Sequence, residues 1–181
     1  HSLAFIGGGN MARSLIGGLV ARGRAPDTLR VAEPVAALRE ALSADFGVRA
    51  REHATDAADG AATWVLAVKP QVMRTVCESL APMAQAQRPL VVSIAAGITT
   101  AQLDAWLGGG QAIVRTMPNT PAMLGAGATG LYATPRVDAL RREEAERLMQ
   151  ACGLTAWIPD EALMDAVTAV SGSGPAYVFL L

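Results

Sequence analysis

The sequence predicts an α/β fold, a doubly wound and mostly parallel sheet with helices packed on it. Three observations predict it. Short apolar runs alternate with stretches of helical period along most of the chain. The first of these runs, Leu3-Ala4-Phe5-Ile6, ends in a glycine cluster, and a helix-like pattern starts at once behind it. Leu90–Ile94 is a near-continuous apolar run, as a central parallel strand buried on both faces requires. The 181 residues are 51% hydrophobic and 17% charged, which is enough for one full domain and part of another.

Taken in order, a first strand is expected over Leu3–Gly7 and a helix over Met11–Ala21, with Leu15, Ile16, Leu19 and Val20 as its apolar stripe. Leu29–Glu33 reads as a short strand, Pro34–Phe46 as an alanine-rich helix and Gly47–Ala50 as a third strand. Thr63–Val68 is an apolar strand closed by Lys69-Pro70. Gln71–Ala84 is helical, with Val72, Val76, Leu80 and Met83 on one side. Leu90–Ile94 stops at the small-residue turn Ala95-Ala96-Gly97, and Thr99–Leu107 and Ala112–Arg115 read as helix and strand. Met117-Pro118-Asn119-Thr120-Pro121 is expected to be neither helix nor central strand, because proline has no N–H to give a ladder. Gly125–Tyr132 reads as an added strand pair or edge, Val137–Cys152 as an amphipathic helix and Leu154–Ile158 as the last strand. Pro159-Asp160-Glu161 opens a helix toward Val170. Ser171-Gly172-Ser173-Gly174-Pro175 interrupts it before apolar helix resumes. The expected domains are therefore residues 1–158 and the beginning of a second at 159–181.

Charge excludes some functions. Fifteen basic and 16 acidic residues leave a net charge of −1, with no clustered basic face for nucleic acid or an anionic membrane. No apolar stretch reaches the roughly 20 residues that span a bilayer. Cys77 and Cys152 match neither a C-x-x-C nor a zinc pattern, and no metal set is read. They are expected to be reduced, buried thiols of a cytoplasmic protein. His1-Ser2 reads as a trimmed start, and the uncapped apolar run Tyr177–Leu181 leads us to expect a further C-terminal portion. His53, in a polar stretch without a visible partner, is expected to be solvated.

The chemistry concentrates behind the first strand. Gly7-x-Gly9-x-x-Ala12 has the spacing of the turn that opens a Rossmann-type dinucleotide-binding unit, in its required place between strand and helix. Gly7 permits the sharp turn, Gly9 lets a pyrophosphate approach the main chain, and Ala12 lets the helix lie close to the strand. Gly7, Gly8, Gly9, Asn10, Met11 and Ala12 are thus candidate cofactor contacts, through N–H groups at a helix start. The alternative is a glycine turn without a ligand. Glu33 ends the second strand, where an acidic residue commonly accepts from an adenosine ribose, which favours NADH. Equally, it is a carboxylate at a helix start. Arg30 and Arg39 remain as groups for the 2′-phosphate of NADPH.

Further candidates follow other strands at the same edge. Ala67, Val68, Lys69 and Pro70 end the fourth strand and Ala95, Ala96 and Gly97 the fifth. Asn119, held stiff between two prolines, follows the sixth. Each has a plain alternative, Lys69 as a surface lysine and Asn119 as a turn residue. The break at Ser171, Gly172, Ser173 and Gly174, with Pro175 suited to a helix first turn, exposes N–H groups and hydroxyls for a carboxylate or phosphate. A helix kink is the alternative. No catalytic triad is visible.

Phe5-Ile6-Gly7-Gly8-Gly9-Asn10-Met11-Ala12, Ala67-Val68-Lys69-Pro70, Ser93-Ile94-Ala95-Ala96-Gly97, Arg115-Thr116-Met117-Pro118-Asn119-Thr120-Pro121 and Ser171-Gly172-Ser173-Gly174-Pro175-Ala176-Tyr177 occur in that order. Together they resemble the pyrroline-5-carboxylate reductase family, which catalyses the last step of proline biosynthesis. The resemblance covers essentially the whole chain. It implies a Rossmann-type domain followed by an all-helical domain that forms a homo-oligomer, with NADPH or NADH as hydride donor. It implies a small cyclic imino acid as substrate, reduced to L-proline, and a substrate loop beyond Leu181. On that reading Ser171–Gly174 receive the substrate carboxylate and Glu161 stands near the imine nitrogen. Two departures concern the coenzyme. Arg51-Glu52-His53-Ala54-Thr55 lacks the Asn that members often carry there, and Glu33-Pro34 stands where many place a polar–Arg pair. The competing readings are a β-hydroxyacid dehydrogenase and a non-catalytic dinucleotide-binding module. The first uses a lysine beyond the Rossmann domain, and this chain has none after Lys69.

Overall fold

Leu3–Ile6 (β1) is apolar at every position and buried at every position. The computed structural model, which describes residues 1–118 and 127–170, sets it inside an eight-stranded sheet. The chain then runs through α1 (Asn10–Ala21), β2 (Leu29–Ala32), α2 (Ala36–Phe46), β3 (Arg49–Arg51), α3 (Ala54–Ala58), β4 (Thr63–Leu66) and α4 (Pro70–Gln87). It continues through β5 (Leu90–Ser93), α5 (Thr100–Trp106), β6 (Ala112–Pro118), β7 (Gly127–Ala133), α6 (Ala139–Gln150), β8 (Gly153–Trp157) and α7 (Ala162–Val170). The strand order is β3-β2-β1-β4-β5-β6-β7-β8. All neighbours are parallel except β6 and β7. This is the doubly wound arrangement, and the winding reverses between β1 and β4.

The period of two along the strands divides the core. Leu3, Phe5, Val31, Val65, Val92 and Val114 face one layer, where Leu15, Ile16, Leu42, Leu148 and Met149 of α1, α2 and α6 cover them. Ala4, Ile6, Trp64, Leu66, Val91 and Ile113 face the other, under Ala57, Met73, Cys77, Leu80 and Leu103 of α3, α4 and α5. Each fully buried Leu, Ile or Phe contributes about 1.5–3 kcal/mol relative to exposure, so both faces of the central strands stabilise the sheet. Trp64 is fully buried and its indole N–H donates to the Ala58 carbonyl at 3.1 Å. Cys77 and Cys152 are free and buried, and burial pushes the Cys77 thiol up to about 12.

Several elements differ from expectation. The second helix begins at Ala36, not Pro34, because the Glu33 carboxylate takes the Val35 N–H at 3.1 Å and holds Pro34-Val35 as a corner. The third strand lies at Arg49–Arg51. The five-residue α3 has no expected counterpart, being too short to show a helical period. The fourth helix begins on Pro70, where the missing N–H costs nothing, and reaches Gln87. The sixth strand, expected to end at Arg115, runs on through Met117 and Pro118. Its pairing explains why. β5 stops opposite Arg115, so residues 116–118 have only β7 as a ladder neighbour, and Pro118 is the end residue, opposite Thr129. Asp138 caps α6 by accepting from the Arg141 N–H at 2.8 Å.

Candidate functional site

The register of the parallel strands assembles the site. Ala32, Ile6, Leu66, Ser93 and Arg115 stand opposite one another across β2, β1, β4, β5 and β6. The segments that follow therefore leave the sheet along one edge, where an α/β sheet binds its ligand. Gly7–Gly9, Glu33, Ala67–Pro70 and Ala95–Gly97 all lie there.

The three glycines of the first turn have different tasks. Gly7 has φ +108°, and a Cβ there would lie 2.7 Å from the Ala67 carbonyl oxygen. Its N–H donates to the Ala32 carbonyl at 2.9 Å, so this glycine locks three strand ends together. A Cβ on Gly8 would meet Leu42 Cδ1 at 2.8 Å and Glu33 Cβ at 3.2 Å. Gly9 is exposed, and a Cβ there would meet nothing within 4 Å. Gly9 also caps α1 without a side-chain bond. Among the described residues no acceptor takes the N–H groups of Gly9, Asn10, Met11 or Ala12, whereas Arg13 already donates to Gly9. A twelve-residue helix thus presents its positive end, with N–H groups that have no acceptor among the described residues, beside the exposed Gly9, which has no side chain. That geometry fits the diphosphate of a dinucleotide.

The other candidates divide by exposure. Lys69 and Pro70 are exposed, and Ala67 and Val68 half-buried. Ala95 is part of the core, its N–H donating to Ser93 Oγ at 3.3 Å, while Ala96 and Gly97 face out. Arg30 turns to the opposite end of the sheet, onto the Asp59 carbonyl and Ser2 Oγ, away from any 2′-phosphate at this edge. Arg39 stays at the edge, its Nη1 donating to the carbonyls of Glu33 and Pro34 at 2.8 Å each. His53 is exposed and precedes α3. Asn119, Ser171, Gly172, Ser173 and Gly174 lie outside the described residues.

Glu161 is not isolated. Its Oε1 accepts from the Thr100 N–H at 2.7 Å and from Arg115 Nη1 at 3.2 Å, and its Oε2 accepts from Thr100 Oγ1 at 2.6 Å. Arg115, 1% exposed, also donates from Nη2 to Asp165 Oδ1 at 3.0 Å. Arg115 heads one of the motifs quoted for the resemblance, but neither it nor Thr100 is a candidate site residue there. A signal was present: Arg115 is a lone charge ending the apolar run Ala112-Ile113-Val114, and a buried guanidinium needs carboxylate partners. The group ties β6 and α5 to the start of α7.

A sequence profile of the family described as NADP oxidoreductase coenzyme F420-dependent matches residues 2–97. The chain is 51% identical over 179 residues to a pyrroline-5-carboxylate reductase of Pseudomonas aeruginosa, which accounts for 99% of this chain and 65% of that protein. It is 44% identical over 179 residues to the pyrroline-5-carboxylate reductase of Haemophilus influenzae, with the same two shares. A solved pyrroline-5-carboxylate reductase from Coxiella burnetii has a TM-score of 0.93 and 41% identity, over 99% of this chain and 66% of that one. A Plasmodium falciparum pyrroline carboxylate reductase solved with NADP bound has a TM-score of 0.82 and 27% identity, over 99% of this chain and 65% of that one. The chain thus spans about 65% of the length of the curated relatives it matches.

Proposed function

The chain belongs to the family described as NADP oxidoreductase coenzyme F420-dependent, and from that premise we propose that it is the coenzyme-binding part of an enzyme that reduces 1-pyrroline-5-carboxylate to L-proline with NADPH or NADH. The observation that carries this reading is 51% identity, over 99% of the chain, with a protein of that name.

In this reading the N–H groups of Gly9, Asn10, Met11 and Ala12 hold the coenzyme diphosphate, and Gly7 keeps the turn tight. Lys69 and the exposed Ala96-Gly97 turn border the same edge toward the reacting end. When bound, the reduced nicotinamide supplies a hydride for the imine carbon. A protonated cyclic imine is already a good electrophile, so the protein has chiefly to orient two reactants and neutralise the substrate carboxylate. The latter task falls to Ser171–Gly174, while Asn119 is a coenzyme contact. Glu161, committed to Thr100 and Arg115, serves by fixing the helix that leads to Ser171, in place of a contact with the imine nitrogen. The helical domain begins near Pro159 and pairs with a second copy. Leu163, 48% exposed on α7, is an apolar side chain that such a contact would cover. Two unpaired thiols support a cytoplasmic setting.

The test uses the full-length protein that contains this chain. With NADPH and 1-pyrroline-5-carboxylate, absorbance of the reduced coenzyme falls and proline accumulates. Reduction of a ketone derived from a β-hydroxyacid, with no reaction of the pyrroline, rejects the reading.

A further inference from the structure

An acidic side chain at the end of the second strand ordinarily raises the expectation of a ribose contact. Glu33 occupies that place here, but its carboxylate turns inward. Residue 33 is 7% exposed. Oε2 accepts from the Gly8 N–H at 3.0 Å and Oε1 from the Val35 N–H at 3.1 Å. The Gly8 donor lies in the turn after β1 and the Val35 donor in the corner after β2. One carboxylate therefore joins the exits of two adjacent strands.

Two further contacts hold it in this orientation. Arg39 Nη1 grips the carbonyls of Glu33 and Pro34 and pins the corner from outside. Leu42, fully buried on α2, packs where a Cβ on Gly8 would sit, closing the turn against the Glu33 side chain. Swinging the carboxylate out to a ribose would leave the buried Gly8 N–H without an acceptor, and a buried unpaired donor is costly. The open donors of Gly9–Ala12 start one residue after the braced one. Their aim therefore depends on where Gly8 is held.

We infer that Glu33 is a positioning residue that sets the diphosphate-binding turn through the Gly8 N–H and does not read the adenosine ribose. The inference rests on the dinucleotide reading above. On this reading Glu33 makes no ribose contact that would favour NADH.

The experiment is titration of the full-length protein and its Glu33→Gln variant with NADPH and with NADH, each followed by calorimetry, alongside the thermal midpoint of both proteins. Glutamine retains one acceptor oxygen but presents an NH2 to the second donor. We expect both coenzymes to weaken by about tenfold, with their affinity ratio unchanged within about twofold. A role confined to stability would lower the thermal midpoint and leave both affinities as they were, and that result overturns the inference. So does a loss restricted to NADH, which is the mark of a ribose contact. If the unsubstituted protein binds neither coenzyme, the dinucleotide reading fails and this inference fails with it. If Glu33→Gln does not fold, the crystal structure of the unsubstituted protein with NADH decides. Glu33 still on the Gly8 N–H, with both ribose hydroxyls bound elsewhere, supports the inference, and the carboxylate on the ribose overturns it.

Discussion

Replacing Gly9 with valine is expected to remove coenzyme binding while leaving the fold in place. The backbone at Gly9 has φ −73° and ψ −171°, which any residue adopts, and no atom stands within 4 Å of a Cβ built there. The fold therefore loses at most about 1 kcal/mol, through a poorer helix N-cap. The space that the side chain fills is the space the diphosphate needs. Forfeiting two hydrogen bonds to a charged phosphate costs about 3 kcal/mol or more, a loss of at least about 100-fold in affinity. Calorimetry with NADPH reads the affinity and thermal unfolding reads the fold. An unchanged Kd in the variant means that the diphosphate does not lie on this turn. Gly7 supplies the contrast. Alanine there is strained by φ +108° and clashes with Ala67, so that variant loses stability first.

This division of labour was only partly legible in the sequence. The spacing Gly7-x-Gly9-x-x-Ala12 identified the turn, because each small residue answers a local steric demand. Gly7 and Ala12 are buried against neighbours and Gly9 is open, as the spacing implies. The strands were legible for the same reason. The central parallel strands β1, β4 and β5 are almost wholly apolar, are buried on both faces and are bounded by turn residues. What stayed hidden depends on tertiary neighbours. The reach of β6 through Pro118 follows from where β5 ends, and β5's end carries no mark in residues 116–118. The inward turn of Glu33 depends on a donor 25 residues away in the chain. The partners of Arg115 are 46 and 50 residues distant.

Arg115→Met carries the second large expected effect. The guanidinium is 1% exposed and bridges Glu161, itself 22% exposed, and Asp165. Methionine matches its stem but leaves the Glu161 carboxylate without a cation in a largely dry position. Removing one partner of a buried pair costs about 3 kcal/mol or somewhat more. Asp165, 65% exposed, adds little of this, because water solvates it once it is released. Urea unfolding of the full-length protein checks the loss, and a difference under about 1 kcal/mol shows that the pair is not needed. The double variant Arg115→Met with Glu161→Gln should recover part of the loss, since no uncompensated charge then remains. The same network anchors the start of α7, so a drop in kcat with the coenzyme Kd unchanged is the expected functional counterpart.

Coenzyme-dependent activity depends most on where the diphosphate lies, and a crystal structure of the full-length protein with NADPH tests that directly. It should place phosphate oxygens at hydrogen-bond distance, roughly 3 Å, from the backbone nitrogens of Gly9, Asn10, Met11 or Ala12. A coenzyme bound elsewhere on the protein, with the bend after β1 empty, would contradict it.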